Sequence, residues 1–151
     1  MPITPVNSGS IIRDVLFFFK DFISGVIPDP ITNRPANQSF IMTSYPTRAV
    51  TYPLITLKDV NQFVQNRLGL QSEATQNYID TELRIWGRNV IERDQTADKV
   101  FNQLKNNQIG AGSTSQSFDL HDFRLLNSVN VDTPDGAKSK VMTYRYLYIA
   151  T

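Results

Sequence analysis

The sequence predicts an α+β fold: a single antiparallel or mixed β-sheet packed by an N-terminal helix and a second, central helix, with a C-terminal β-hairpin. Three observations carry this reading. Apolar residues at helical spacing open the chain, an alternating strand in its middle runs straight into a second helical stretch, and two alternating segments close it around turn-forming residues. There is no internal repeat and no second domain. Residues 1–151 therefore read as one domain, with residues 1–9 as an N-terminal arm and residues 28–39 and 109–117 as flexible loops.

The first helix follows the capping hydroxyls of Ser8-Gly9-Ser10. Ile11, Val15, Phe18 and Phe22 recur at helical spacing, with Ile12, Leu16, Phe19, Ile23 and Val26 beside them. That apolar face is wider than one sheet contact needs. Phe17-Phe18-Phe19 point about 100° apart, so either all three rings enter the core or one is spare for a partner. Gly25 and Pro28 end the helix, and Pro28-Asp29-Pro30 and Asn33-Arg34-Pro35 mark a proline-rich loop.

Residues Phe40 to Ser44 and Thr51 to Val60 read as strands, with Pro53 near a strand start or sheet edge. Asn61 to Leu70 is ambiguous, since Phe63, Val64 and Leu68 permit a short helix closed by Gly69. The clearest strand is Tyr78 to Arg88. Ile79, Thr81, Leu83, Ile85 and Gly87 face one way; Asp80, Glu82, Arg84 and Arg88 face the other, with Trp86 among the charges. A helix from about Ile91 to Asn107 follows, its stripe formed by Ala97, Val100, Phe101 and Leu104. Phe101 and Leu104 are expected against the sheet face of Leu83 and Ile85.

In the last two strands, His121, Phe123, Leu125, Val129 and Val131 alternate, then Val141, Thr143, Leu147 and Ile149. Thr133-Pro134-Asp135-Gly136 supplies the turn between them. Met142, Tyr144, Tyr146 and Tyr148 line the other face of the last strand. These tyrosines either offer rigid amphipathic surface to a neighbouring subunit or cover the domain's own sheet.

The 40% hydrophobic and 19% charged residues exclude a disordered chain. Fifteen basic residues against fourteen acidic, evenly spread, give no basic patch for nucleic acid or an anionic membrane. Arg13, Asp14, Lys20 and Asp21 interrupt the apolar run from Ile11 to Ile27, so it does not read as a membrane span or a signal peptide. The expectation is a protein made and kept in the cytoplasm of its producing cell.

Chemistry is sparse in the sequence. Cysteine is absent, so disulfides, thiolate nucleophiles and cysteine zinc sites drop out. The single histidine, His121, lies inside an expected strand with no nucleophile elbow elsewhere, and one histidine cannot build a transition-metal site. Asp80 and Glu82 read as part of a charge ladder with Arg84, and Glu92 and Asp94 as carboxylates at a helix start. No phosphate-cradling glycine pattern occurs. Arg84, Arg88 and Arg93 with Trp86 could touch nucleic acid, but interleaved acids favour a salt-bridged surface or a subunit contact. The expectation is no enzyme, no cofactor and no metal.

Two segments carry a resemblance. Arg48-Ala49-Val50-Thr51-Tyr52-Pro53-Leu54-Ile55 resembles an early strand of the tail-terminator (tail-completion) proteins of tailed phages and related viruses. Leu83-Arg84-Ile85-Trp86-Gly87-Arg88-Asn89, with Glu92-Arg93-Asp94 and Ala97-Asp98-Lys99-Val100, resembles that family's central strand and the opening of its second helix. The likeness covers about residues 48 to 105. It implies a homo-oligomeric ring, usually a hexamer, on the head-proximal end of the tail tube. Its implied partners are the major tail tube protein and the connector or stopper proteins of the neck. DNA would pass through the lumen without sequence-specific binding. It also implies location in the virion, after assembly in the host cytoplasm. No catalytic residue comes with it. Arg84, Trp86, Arg88, Tyr144, Tyr146 and Tyr148 are the candidate interface residues. The Phe-rich first helix and the proline-rich loop depart from the pattern and fit another neck or tail-tube ring protein. A small cellular protein- or nucleic-acid-binding module is the reading from a different class.

Overall fold

Two helices and five strands form the chain in the order α1 (Ile11–Val26), β1 (Ile41–Met42), β2 (Leu54–Arg67), β3 (Thr75–Gly87), α2 (Val90–Asn107), β4 (His121–Asp132) and β5 (Lys138–Ala150). The computed structural model describes residues 11–45, 50–67, 75–107, 121–133 and 136–150; within these, the side chains of 11–15, 18, 59–67, 75, 106–107, 121–123 and 148–150 are not described. The strands make one sheet in the order β1-β2-β3-β5-β4. β1 runs parallel to β2 and every other neighbour is antiparallel, so the sheet is mixed. The class is α+β, with β4 and β5 pairing antiparallel at the C-terminal end.

Both helices pack into one apolar layer against one face of the sheet. α1 contributes Phe19, Ile23 and its successor Ile27; α2 contributes Ala97, Val100 and Leu104. β3 supplies Ile79, Leu83 and Ile85 to this layer, and β2 supplies Ile55 and Leu57. The period-2 alternation of β3 thus sorts its residues as the sequence suggests: apolar toward the helices, charged away. Each fully buried Leu or Ile contributes about 1.5–3 kcal/mol through area removed from water. No helix among the described residues is long and apolar enough to cross a membrane.

The register decides which face of β5 is covered. Leu83 lies opposite Met142, Thr81 opposite Tyr144 and Ile79 opposite Tyr146, so Met142, Tyr144 and Tyr146 face the helices. All three are buried, and the Tyr146 hydroxyl lies 3.2 Å from Thr81 Oγ1 with its ring 5.3 Å from that of Phe19. Val141, Thr143 and Leu147 take the other, partly exposed face.

β2 is also longer than expected. Residues 61–67 continue the strand against β3, where a short helix seemed permitted. Register shifts between Asp59 and Asn61 and between Val64 and Asn66 break the alternation. A bulge of this type makes a strand's apolar spacing imitate a helix. In α2, Leu104 is buried as expected but Phe101 is 36% exposed and stands at the margin of the stripe.

In the loop at 28–39 one side chain makes several contacts. Arg34 donates to both carboxylate oxygens of Asp29, at 2.7 and 3.0 Å, and to the carbonyls of Thr51 and Pro53. One guanidinium therefore closes the loop on itself and fastens it to the entry of β2. The arm at 1–9, the segment 109–117 and the capping residues Ser8 to Ser10 lie outside the described residues.

Candidate subunit-interface surface

The sheet face turned away from the helices is where the charged side chains collect. Register places them in rows across the strands. Leu54, Trp86, Ser139 and Val131 form one row, and Thr56, Arg84, Val141 and Val129 the next. Lys58, Glu82, Thr143 and Asn127 follow, then Asp80, Arg145 and Arg124.

At the first row the face has a small core of its own. Leu54, Trp86 and Ala137 are buried together, with Met42, Val50 and Tyr52 packed against them. The Trp86 indole N–H donates to Thr56 Oγ1 at 3.1 Å, which satisfies the one polar atom of a buried ring. Tyr45 tilts over Trp86 with centroids 4.7 Å apart, and its hydroxyl lies 2.9 Å from that of Tyr52. The Arg84 guanidinium sits 5.2 Å from the Trp86 ring centroid on this face. Its Nε is 3.5 Å from Glu82 Oε1, an ion pair without a hydrogen bond.

Arg88 lies past the end of β3 and belongs to the start of α2. Its Nη2 is 2.6 Å from Glu92 Oε2, and its backbone N–H donates to Glu92 Oε1 at 3.0 Å. The Glu92 N–H in turn donates to Asn89 Oδ1 at 2.8 Å, so Asn89 caps the helix and Glu92 reaches back over it. Burial raises the Glu92 carboxyl, but the hydrogen bonds and charge of Arg88 outweigh it and hold the group below the usual glutamate range. Two residues on, Arg93 and then Lys140 of β5 hold Asp94 below the usual aspartate range. The sheet end and the helix start are thus joined by an acid-base cluster.

The candidate interface residues fall into three groups. Arg84 and Arg88 are accessible, and both are held by carboxylates of their own chain. Trp86 is on the uncovered sheet face but is only 7% exposed, under Tyr45 and Arg84. Tyr144 and Tyr146 are in the helix-covered core, where burial pushes the Tyr144 phenol well above its ordinary value. Neither ring can meet another subunit from there, which corrects the reading of a tyrosine contact face. The side chain of Tyr148 lies outside the described residues, as does that of His121 at the start of β4.

Sequence reasoning missed two features of this surface. Arg145 donates to both oxygens of the buried Asp80, at 2.7 and 3.0 Å, bridging β5 and β3. Its signal was only opposite charges 65 residues apart, which no local pattern links. Val129 and Val131 of β4, read only as members of an alternating strand, are 51% and 36% exposed. Among the described residues no group of His, Asp and Glu comes together in a metal-binding cluster. The arrangement pairs charges within the chain and leaves Val129 and Val131 exposed at the edge of the sheet. The sequence matches no protein-family model and no curated protein.

Proposed function

We propose that this chain is a structural virion protein, a tail terminator or head-tail joining subunit that forms a ring on the head-proximal end of the tail tube. One observation carries the reading. The described residues of the segments that resemble the tail-terminator family lie together. Leu54 pairs with Trp86, Gly87 abuts the Arg93 backbone, and Arg88, Asn89 and Glu92 knit β3 to α2. Short motifs scattered at random would not be expected to share one end of one sheet.

In this reading the subunit meets further copies of itself, the major tail tube protein and the neck connector or stopper proteins, and DNA passes through the ring without sequence readout. Arg84 and Arg88 lie on the surface available for such contacts. Other neck or tail-tube ring proteins are the alternative in the same class. The burial of Trp86 counts against a nucleic-acid module, because a stacking platform needs an open ring face. The reading is tested by labelling the protein in intact particles and imaging them. A label confined to the junction of head and tail is expected; a label absent from particles would overturn the reading.

A further inference from the structure

Arg34, Arg88, Arg93 and Arg145 each donate hydrogen bonds to a carboxylate of their own chain. Arg84 does not. Its Nε is buried without an acceptor, and Glu82 Oε1 stands 3.5 Å away. A guanidinium carries five N–H donors, and a buried donor left unmade is a cost that an incoming acceptor relieves. The side chain is 32% exposed, and the guanidinium lies 5.2 Å from the Trp86 ring centroid. That ring holds the fork in place, so little freedom is lost when an acceptor arrives. Lys58, opposite Glu82 on β2, is exposed and makes no ion pair with a described residue. This part of the open sheet face is short of a carboxylate.

Among the described residues, two exposed carboxylates have no ion pair: Asp21 on α1 and Asp98 on α2. Asp21 follows Phe17 by one helical turn. Phe17 is 46% exposed whereas Phe19 is fully buried, so Phe17 is a ring that the core leaves over. Residues four apart stand roughly 6 Å apart on one side of a helix. The open sheet face offers the counterpart at a similar spacing. Arg84 lies directly opposite Val141, which lies opposite Val129; side chains paired in this way are roughly 5 Å apart. Val141 is partly exposed and Val129 is exposed. A ring beside a carboxylate thus matches a valine pair beside a guanidinium. Asp98 is the poorer match: Lys99 and Lys105 on its helix are both exposed and would confront Arg84 and Lys58, whereas Lys20 beside Asp21 is partly buried.

We propose that α1 of one copy docks on the open sheet face of the next, with Asp21 on the Arg84 guanidinium and Phe17 on the Val141–Val129 pair. α1 packs on one face of the sheet and Arg84 stands on the other, so the contact does not close within one chain. It joins two different surfaces and is therefore head-to-tail. Such a contact closes into a ring or runs on as a filament. The inference rests on the ring reading in taking a second copy as the partner, and it deepens that reading by naming a contact that builds the ring.

The test sediments the full chain and its Asp21→Arg and Arg84→Glu variants over a concentration series, each alone and the two variants mixed. The unmodified chain should associate. Each variant alone sets like charges across the contact and should associate at least about tenfold more weakly, with unchanged circular dichroism. An equal mixture should regain association, because Arg84 of the first variant meets Asp21 of the second. Phe17→Ala should weaken association as well, and Asp98→Arg should leave it unchanged. An unmodified chain that stays monomeric at every concentration would overturn the proposal. So would single variants that associate as the unmodified chain does, folded variants whose mixture does not recover, or a loss on Asp98→Arg equal to that on Asp21→Arg. The tail reading fails separately, on the absence of the labelled chain from intact particles.

Discussion

Arg145 on β5 reaches across to β3 and places two guanidinium donors on Asp80, whose side chain is only 4% exposed. The pair lies on the sheet face without helices, yet Asp80 is as inaccessible as a core residue. Asp80 hydrogen bonds hold Arg145 above the ordinary arginine value, so the cation is permanent. Arg145→Met should leave a buried carboxylate without its bidentate donor and cost about 1–3 kcal/mol. The Asp80→Asn, Arg145→Met double variant should recover part of that loss. Urea unfolding of the cycle measures it; additive losses would mean that the two residues are not coupled.

Leu83 and Phe101 should differ sharply on truncation. Leu83 is fully buried between the helices and the sheet, so Leu83→Ala should cost about 2–5 kcal/mol. Phe101 is 36% exposed, and Phe101→Ala should cost well under half as much. Equal losses in denaturant midpoint, at unchanged slope, would place Phe101 in the core after all.

Gly87 ends β3 where the first turn of α2 crosses it. A Cβ there would lie 2.7 Å from the Arg93 backbone nitrogen and 3.0 Å from its Cα. Both are main-chain atoms that cannot rotate away. Gly87→Ala should therefore cost about 1–3 kcal/mol through forced displacement of α2. The control Gly25→Ala, with nothing within 4 Å, should be neutral or slightly stabilising. A thermal scan of both variants checks the contrast, and equal melting temperatures would contradict it.

Acid should loosen the proline-rich loop. Hydrogen bonds from Arg34 hold Asp29 below its unperturbed 3.8, so their contribution is present above that pH and is lost as pH falls through the depressed folded value. Glu92 adds a loss that begins below its unperturbed 4.5. Stability measured by urea should drop as pH falls from 5 toward 2. Arg34→Gln should shrink the part of that drop due to Asp29. An identical pH profile in the variant would mean that Arg34 does not control the carboxylate.

Which parts of this structure were legible in the sequence has a physical reason. β3 was readable because only one of its faces is apolar, so alternation alone fixes its orientation. β5 carries Val141, Thr143 and Leu147 on one face and Met142, Tyr144 and Tyr146 on the other. Both sets suit a buried face, and the decision is made by pairing to β3, which lies far away in sequence. Bulges hid the second half of β2. Arg84 and Trp86 stand on the charged face of β3 as read, whereas Arg88, read as part of the strand, lies just past it; the burial of Trp86 depends on Tyr45 and Leu54, which the sequence does not announce as its neighbours.

The central claim is that this chain terminates a viral tail, and a conditional stop codon early in its gene tests it most directly. A terminator binds the end of a growing tube more tightly than another tube subunit does, so its loss releases length control at that end. Electron microscopy of the nonpermissive lysate should show filled heads without tails and tubes that overgrow or fail to join heads. Adding the purified chain should restore joining. The Arg84→Glu variant should restore it less well, because it sets a second carboxylate beside Glu82 on the charged face. Tails of normal length already joined to heads, in the absence of this protein, would contradict the account.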